Sequence, residues 1–225
     1  MEEYSIRTTV SGRYLLRPSL LRPESVLLTG FHGYGQSAED ELGLLVSIPG
    51  SERCTLCSIE ALHPFYTLKG KSGACWMTSD HRLTRIKENI RYVDAVLDKI
   101  LQPSTALIFH GFSQGTGMAS RAAALGMHRS SGLMLLGGDF PPELELAGQL
   151  PLVHIARGDR DPIYQKEPFM RDCRRFAESC LPHVTCSFKG GHEAAGEYLE
   201  SAGGFLEKFF SNRFSETPCR SISKA

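Results

Sequence analysis

The chain has 225 residues, enough for one sizeable domain with a real core, and Lys plus Arg balance Asp plus Glu at 25 each. Zero formal charge gives no reason to expect nucleic acid or an anionic membrane as partner, and no apolar run reaches membrane-spanning length. Seven cysteines without a disulfide rhythm, behind an acidic Met1-Glu2-Glu3-Tyr4 start with no signal-peptide apolar region, point to a reducing, cytoplasmic compartment.

Tyr4 to Val10 alternates polar and apolar residues, Ser11-Gly12 offers a turn, and Arg13 to Arg17 extends again. The pattern predicts an N-terminal antiparallel hairpin at a sheet edge. Pro18 and Pro23 bracket a loop, and Ser25 to Thr29 reads as a short buried strand. It runs into Gly30-Phe31-His32-Gly33-Tyr34-Gly35, where crowded glycines imply close backbone approach. Neither G-x-G-x-x-G nor a P-loop lysine is present, so phosphate binding is set aside. In a serine hydrolase this loop supplies an oxyanion donor, here the Tyr34 N–H, and His32 has a structural role, its ring bonding loop backbone. Glu39 to Ser47 predicts a helix and Cys54 to Ile59 a strand. Cys54 and Cys57 form a C-x-x-C, but no second ligand pair follows. On a strand the two residues also face opposite sides of the sheet, so they read as buried structural thiols and no metal site is expected.

Glu60 to Asp80 reads as a long connection. Loops of that length often form lids or binding walls, which makes Phe65, Tyr66, Trp76 and Met77 candidate pocket residues. Arg82 to Leu101 carries apolar residues at helical spacing, and Pro103 ends it. Ser104 to His110 then reads as a buried strand and Thr116 to Gly126 as a helix. Between them stands Gly111-Phe112-Ser113-Gln114-Gly115, the G-x-S-x-G pattern of a nucleophile elbow. Such a turn strains the serine backbone, requires small residues on either side, and leaves the Gln114 N–H at a helix N-terminus free to face an oxyanion.

Ser131 to Leu136, Leu152 to Ala156 and His183 to Phe188 are further strands, and Phe169 to Ser179 and Ala195 to Phe210 are helices. Strand–helix alternation predicts an α/β fold with a mostly parallel central sheet covered by helices on both faces. Each Gly-rich or polar cluster falls at the carboxyl end of a strand, where such sheets bind ligands. One rim therefore gathers Ser113, an acid and a base. Asp161, Asp159 and Asp139 are the available acids. His192, in a Gly-Gly-His loop after the last strand, is the base the fold needs there. Residues 1–210 form the single expected domain, and 211–225 is a polar tail.

With these pieces in hand, the chain resembles the α/β-hydrolase superfamily, and within it the phospholipase/carboxylesterase, acyl-protein thioesterase-like branch. The resemblance rests on His32-Gly33-Tyr34-Gly35, Gly111 to Gly115, Gly158-Asp159-Arg160-Asp161-Pro162 and Gly191-His192-Glu193, with Trp76 between. Ile163-Tyr164 stands where relatives commonly have Val-Pro. The resemblance implies a Ser113–Asp161–His192 triad, because the family's acid is the aspartate before the proline. It also implies hydrolysis of a small carboxylic ester or thioester without metal or organic cofactor. A serine peptidase or acyl-aminoacyl hydrolase, and a non-catalytic ligand-binding protein on the same fold, are the alternatives. A homodimer is left open.

Overall fold

The computed structural model describes residues 1, 2, 4, 6, 8–20, 26–146 and 150–210. Along them run β1 (Tyr14–Arg17), β2 (Val26–Phe31), α1 (Ala38–Ser47), β3 (Thr55–Ile59), β4 (His63–Tyr66), β5 (Ser72–Cys75) and α2 (Arg82–Ile100). There follow β6 (Ala106–Phe112), α3 (Gln114–Leu125), β7 (Gly132–Leu136), β8 (Leu152–Gly158), α4 (Lys166–Glu178), β9 (His183–Phe188) and α5 (Gly196–Phe210). Seven strands form one sheet in the order β1-β3-β2-β6-β7-β8-β9. All its pairs are parallel except β1 with β3. From β2 the chain moves outward to β3. It then crosses back to β6 on the other side, so winding reverses between β2 and β6. A crevice opens at the carboxyl ends of two neighbouring parallel strands at such a reversal.

The central strands are buried on both faces, which is why they read as continuous apolar runs rather than alternating ones. On one face Leu27, Phe31, Leu107, Phe109, Leu133 and Leu135 meet α2, α3 and α4. On the other, Val26, Leu28, Ile108, Met134 and Ala156 meet α1 and α5. Cys57 belongs to the first core and Cys54 to the second, and burial pushes both thiols up to about 12. The α1 start is fixed by a capping box. Ser37 Oγ accepts from the Asp40 N–H at 3.3 Å, and Asp40 Oδ2 accepts from the Ser37 N–H at 2.8 Å. No helix among the described residues is long and apolar enough to cross a membrane.

The second core holds a histidine with a measurable consequence. His154 on β8 packs against the Tyr198 and Phe205 rings and bonds Ser201 Oγ through Nε2 at 2.8 Å. Burial first, then His110 and Lys208, lower its pKa from the ordinary 6.5 to about 3. The unfolded chain therefore binds a proton that the folded chain refuses. This site's contribution is intact above pH 6.5 and is lost progressively as pH falls toward 3. Urea unfolding at pH 5 should show about 2 kcal/mol less stability from this group than at pH 7, and His154→Gln should flatten that dependence. An equal pH slope in both proteins would remove the assignment.

Two segments depart from the sequence reading. The N-terminal antiparallel pair is present, but β1 pairs with β3 (Tyr14 opposite Ile59) and not with a preceding arm. The expected first arm lies partly outside the described residues, and its described positions carry no strand. The connection over 60–80 is folded into the β4–β5 hairpin, with Phe65 opposite Gly73. Gly35 and Gln36 join it: the Gly35 N–H donates to Ala74 O and the Ala74 N–H to Gln36 O, each at 3.0 Å. The expected tail, 211–225, lies outside the described residues.

Candidate active site

Ser113 stands between β6 and α3 with φ 53° and ψ −117°, a backbone conformation that ordinary side chains rarely hold. Local bonds fix it. Its N–H donates to Leu136 O at 2.8 Å, and its carbonyl accepts from the Thr116 N–H at 3.0 Å and the Thr116 hydroxyl at 2.7 Å. The tightness of this turn explains its glycines. A Cβ on Gly115 would lie 1.8 Å from Phe31 O, and one on Gly111 would lie 2.4 Å from Gly115 O. Both obstacles are backbone and cannot swing aside. Gly115→Ala should therefore lower stability by at least about 3 kcal/mol in urea titration, and a smaller loss would mean that β2 yields more than its packing allows.

The β2 loop passes this serine, since a Cβ on Gly33 would lie 3.3 Å from Ser113 Cβ, and it carries three successive N–H groups. Gly33 donates to Gln36 Oε1 at 2.7 Å and Gly35 to Ala74 O at 3.0 Å. Tyr34 between them meets no acceptor among the described residues. Its peptide plane is held from the other end, because His32 Nδ1–H donates to Gly33 O at 2.7 Å. In a trans peptide that carbonyl and the Tyr34 N–H point opposite ways, so bonding one aims the other. His32 Nε2 accepts from the Ala61 N–H at 3.1 Å, which requires the neutral ring, and burial lowers its pKa accordingly. The expected structural role of His32 matches this geometry. The Gln114 N–H, first in α3, is likewise without an acceptor among the described residues. It thus carries the positive end of the helix.

Opposite stands the Asp161–His192 pair. His192 Nδ1–H donates to Asp161 Oδ2 at 2.8 Å. Asp161 Oδ1 accepts from the Ile163 and Tyr164 N–H groups at 2.8 and 2.9 Å, and the carboxylate is fully buried. Neither of the other two candidate acids bonds His192. Asp159 is half exposed and accepts from the Gly190 N–H at 3.1 Å, and Asp139 is more than half exposed, 4.0 Å from Arg171. His192 packs on the Phe112 ring at 4.9 Å. A Cβ on Gly137 would lie 3.2 Å from the His192 ring, and one on Gly138 would lie 2.4 Å from Ser113 O. The imidazole and the serine thus flank the same pair of glycines. Their side chains make no hydrogen bond to each other here.

A cavity of about 370 Å³ opens at Ser113, lined also by Gln114, Gly137, Gly138, Asp139, Ile163, Tyr164, Pro168 and Arg171. None of the four wall residues expected from the sequence lines it. Trp76 is fully buried, because its indole N–H must find an acceptor and does so at His32 O, 2.9 Å away. Met77 is buried beside it, and Tyr66 is 81% exposed on the hairpin's outer side. Phe65 stacks on Tyr34 at 4.9 Å and so touches the site only through the β2 loop. The lining comes instead from the loops after β7 and β8, from the start of α3 and from Pro168 and Arg171 on α4. A second cavity, about 550 Å³, lies between α2 and α3 and shares no residue with the first.

Two contributors were not foreseen. The Gln114 side chain accepts from the Trp76 N–H at 2.8 Å and donates to Met77 O at 3.0 Å. Arg157, at the end of β8, is buried and bonds loop carbonyls. A cation at the end of a buried, largely apolar strand was the one signal available for it.

No family model matches the chain, and no curated protein sequence does. Solved structures do match. Esterase PE8 aligns with a TM-score of 0.71 at 21% identity, over 90% of this chain and 100% of that one. A Bacillus cereus carboxylesterase aligns at 0.70 and 19%, over 88% and 95%. Zea mays acyl-protein thioesterase 2 aligns at 0.70 and 16%, over 88% and 99%. With a mostly parallel sheet, helices on both faces and these neighbours, the chain has the α/β-hydrolase fold.

Proposed function

We propose that the protein is a serine hydrolase cleaving carboxylic esters or thioesters, with Ser113 as nucleophile, His192 as base and Asp161 as the acid that orients it. The observation that carries this reading is the 2.8 Å bond from His192 to a carboxylate whose other oxygen is already taken by two backbone N–H groups. That bond keeps the proton on Nδ1 and leaves Nε2 free to accept one.

In the first half-reaction Ser113 Oγ bonds the carbonyl carbon while its proton passes to His192 Nε2. The carbonyl electron pair moves onto oxygen, and the Tyr34 and Gln114 N–H groups stabilise that charge. The intermediate collapses, the C–O or C–S bond breaks, and His192 returns the proton to the departing alkoxide or thiolate. Water repeats the sequence on the acyl-enzyme and releases the acid. The esterase, carboxylesterase and thioesterase names of the structural neighbours support this substrate class.

A fluorophosphonate probe, followed by peptide mapping, tests the reading: it should label Ser113 alone. An unlabelled native protein would rule out the hydrolase. Nitrophenyl esters, an acyl-thioester and aminoacyl amides then separate leaving groups, and turnover confined to amides would overturn the ester assignment.

A further inference from the structure

We infer that Arg157 is a positioning residue for the Asp161–His192 pair, an inference that rests on the hydrolase reading above. Arg157 is the penultimate residue of β8 and only 6% exposed. Its Nε–H donates to Tyr164 O at 3.1 Å and an Nη2–H donates to Asp159 O at 3.2 Å. These carbonyls stand at the two ends of the loop that carries Asp161. No carboxylate lies within ion-pair range of Arg157 among the described residues. A buried cation is thus spent on backbone carbonyls alone, at a position where the same strand face otherwise carries Val153 and Ile155.

The loop is fastened at three levels. Asp161 closes it internally through the Ile163 and Tyr164 N–H groups. Arg157 closes it onto β8. Three further bonds tie it to the loop bearing His192: Asp159 N–H to Phe188 O at 2.8 Å, Arg160 N–H to Gly190 O at 3.0 Å, and Gly190 N–H to Asp159 Oδ1 at 3.1 Å. The far end is held as well, since the Tyr164 hydroxyl donates to the buried Asp172 at 2.9 Å. Removing the guanidinium releases the Asp159 and Tyr164 carbonyls from β8 at once while leaving the bonds to the base loop and to Asp172. The acid then shifts relative to the base. The planar fork places fixed donors on two separate nitrogens, Nε and Nη2, one for each carbonyl; an ammonium has a single nitrogen from which to reach both.

The test compares wild type, Arg157→Met and Arg157→Lys on a nitrophenyl ester, with folding checked by near-ultraviolet circular dichroism. Arg157→Met should lower kcat about 100-fold with KM unchanged. Arg157→Lys should recover part of that loss. In proton NMR the far-downfield resonance of His192 Nδ1–H, visible in wild type, should be lost to exchange in Arg157→Met. A kcat within about threefold of wild type, or an unchanged resonance in the folded variant, overturns the assignment. If Arg157→Met does not fold, Arg157→Lys carries the test: about a tenfold lower kcat is expected, and an unchanged kcat overturns it. Fluorophosphonate labelling of wild-type Ser113 is scored separately, so failure of the hydrolase reading is not mistaken for failure of this one. The resonance reports on Arg157 in either case.

Discussion

Ser113→Ala should reduce ester turnover by about 10⁵-fold while leaving the fold intact. Both residues carry a Cβ, so the strained backbone at φ 53° is neither relieved nor worsened by the change. The bonds that hold the turn, from the Ser113 N–H to Leu136 O and from Thr116 to Ser113 O, use main-chain atoms that alanine keeps. What disappears is the proposed nucleophile, and with it the route through an acyl-enzyme. A small residual rate should survive, because the Tyr34 and Gln114 N–H groups still stabilise an oxyanion formed by direct attack of water. Steady-state kinetics and thermal melts on the purified variant read both parts of the expectation. Turnover within tenfold of wild type, at an unchanged melting point, would place the chemistry elsewhere.

Asp161→Asn should lower kcat by about 10⁴-fold, whereas Asp139→Asn should change it by less than about threefold. The size of the first effect follows from which way the new amide must face. Two backbone N–H groups, from Ile163 and Tyr164, converge on Oδ1, so the asparagine oxygen is held there. Its NH₂ then occupies the Oδ2 position, 2.8 Å from His192 Nδ1, and donates where the carboxylate accepted. The imidazole is forced into the tautomer with its proton on Nε2 and cannot take one from Ser113. Asp139 is exposed, and its nearest charged partner is Arg171 at 4.0 Å, so its amide has no such consequence. Loss of activity in Asp139→Asn with Asp161→Asn intact would exchange the two roles.

The sequence was most informative where local pattern and burial agree. His183 to Phe188 matches β9 to the residue, and the strand–turn–helix context of the elbow appears as β6, Ser113 and α3. The proposed acid and base, Asp161 and His192, could be named because each follows a strand whose carboxyl end falls at one rim of a parallel sheet. What stayed hidden depends on contacts between distant segments. β4 contains Pro64 and lacks alternation; it becomes a strand because β5 pairs with it and the Gly35–Gln36 backbone pairs with Ala74. Trp76 looked like a pocket wall because it lies in the long 60–80 connection. Its depth is set by an acceptor, His32 O, more than forty residues away in the chain. The stapling by Arg157 has no periodic signature, since it joins a side chain to carbonyls on both sides of a turn.

The amide of Gln114 bears on how this protein can be altered. Its backbone N–H is the first of α3 and meets no acceptor among the described residues, while its side chain gives one acceptor to Trp76 and one donor to Met77. Glutamate lacks the donor, and asparagine is one methylene too short to keep both bonds. Recombination that replaces the β4–β5 hairpin with one of another length therefore has narrow limits. Its junctions must fall after Gln36 and before Trp76, so that position 114 keeps the two partners it was fitted to. A chimera cut inside Trp76–Met77 would inherit a new hairpin and a misaligned α3 together.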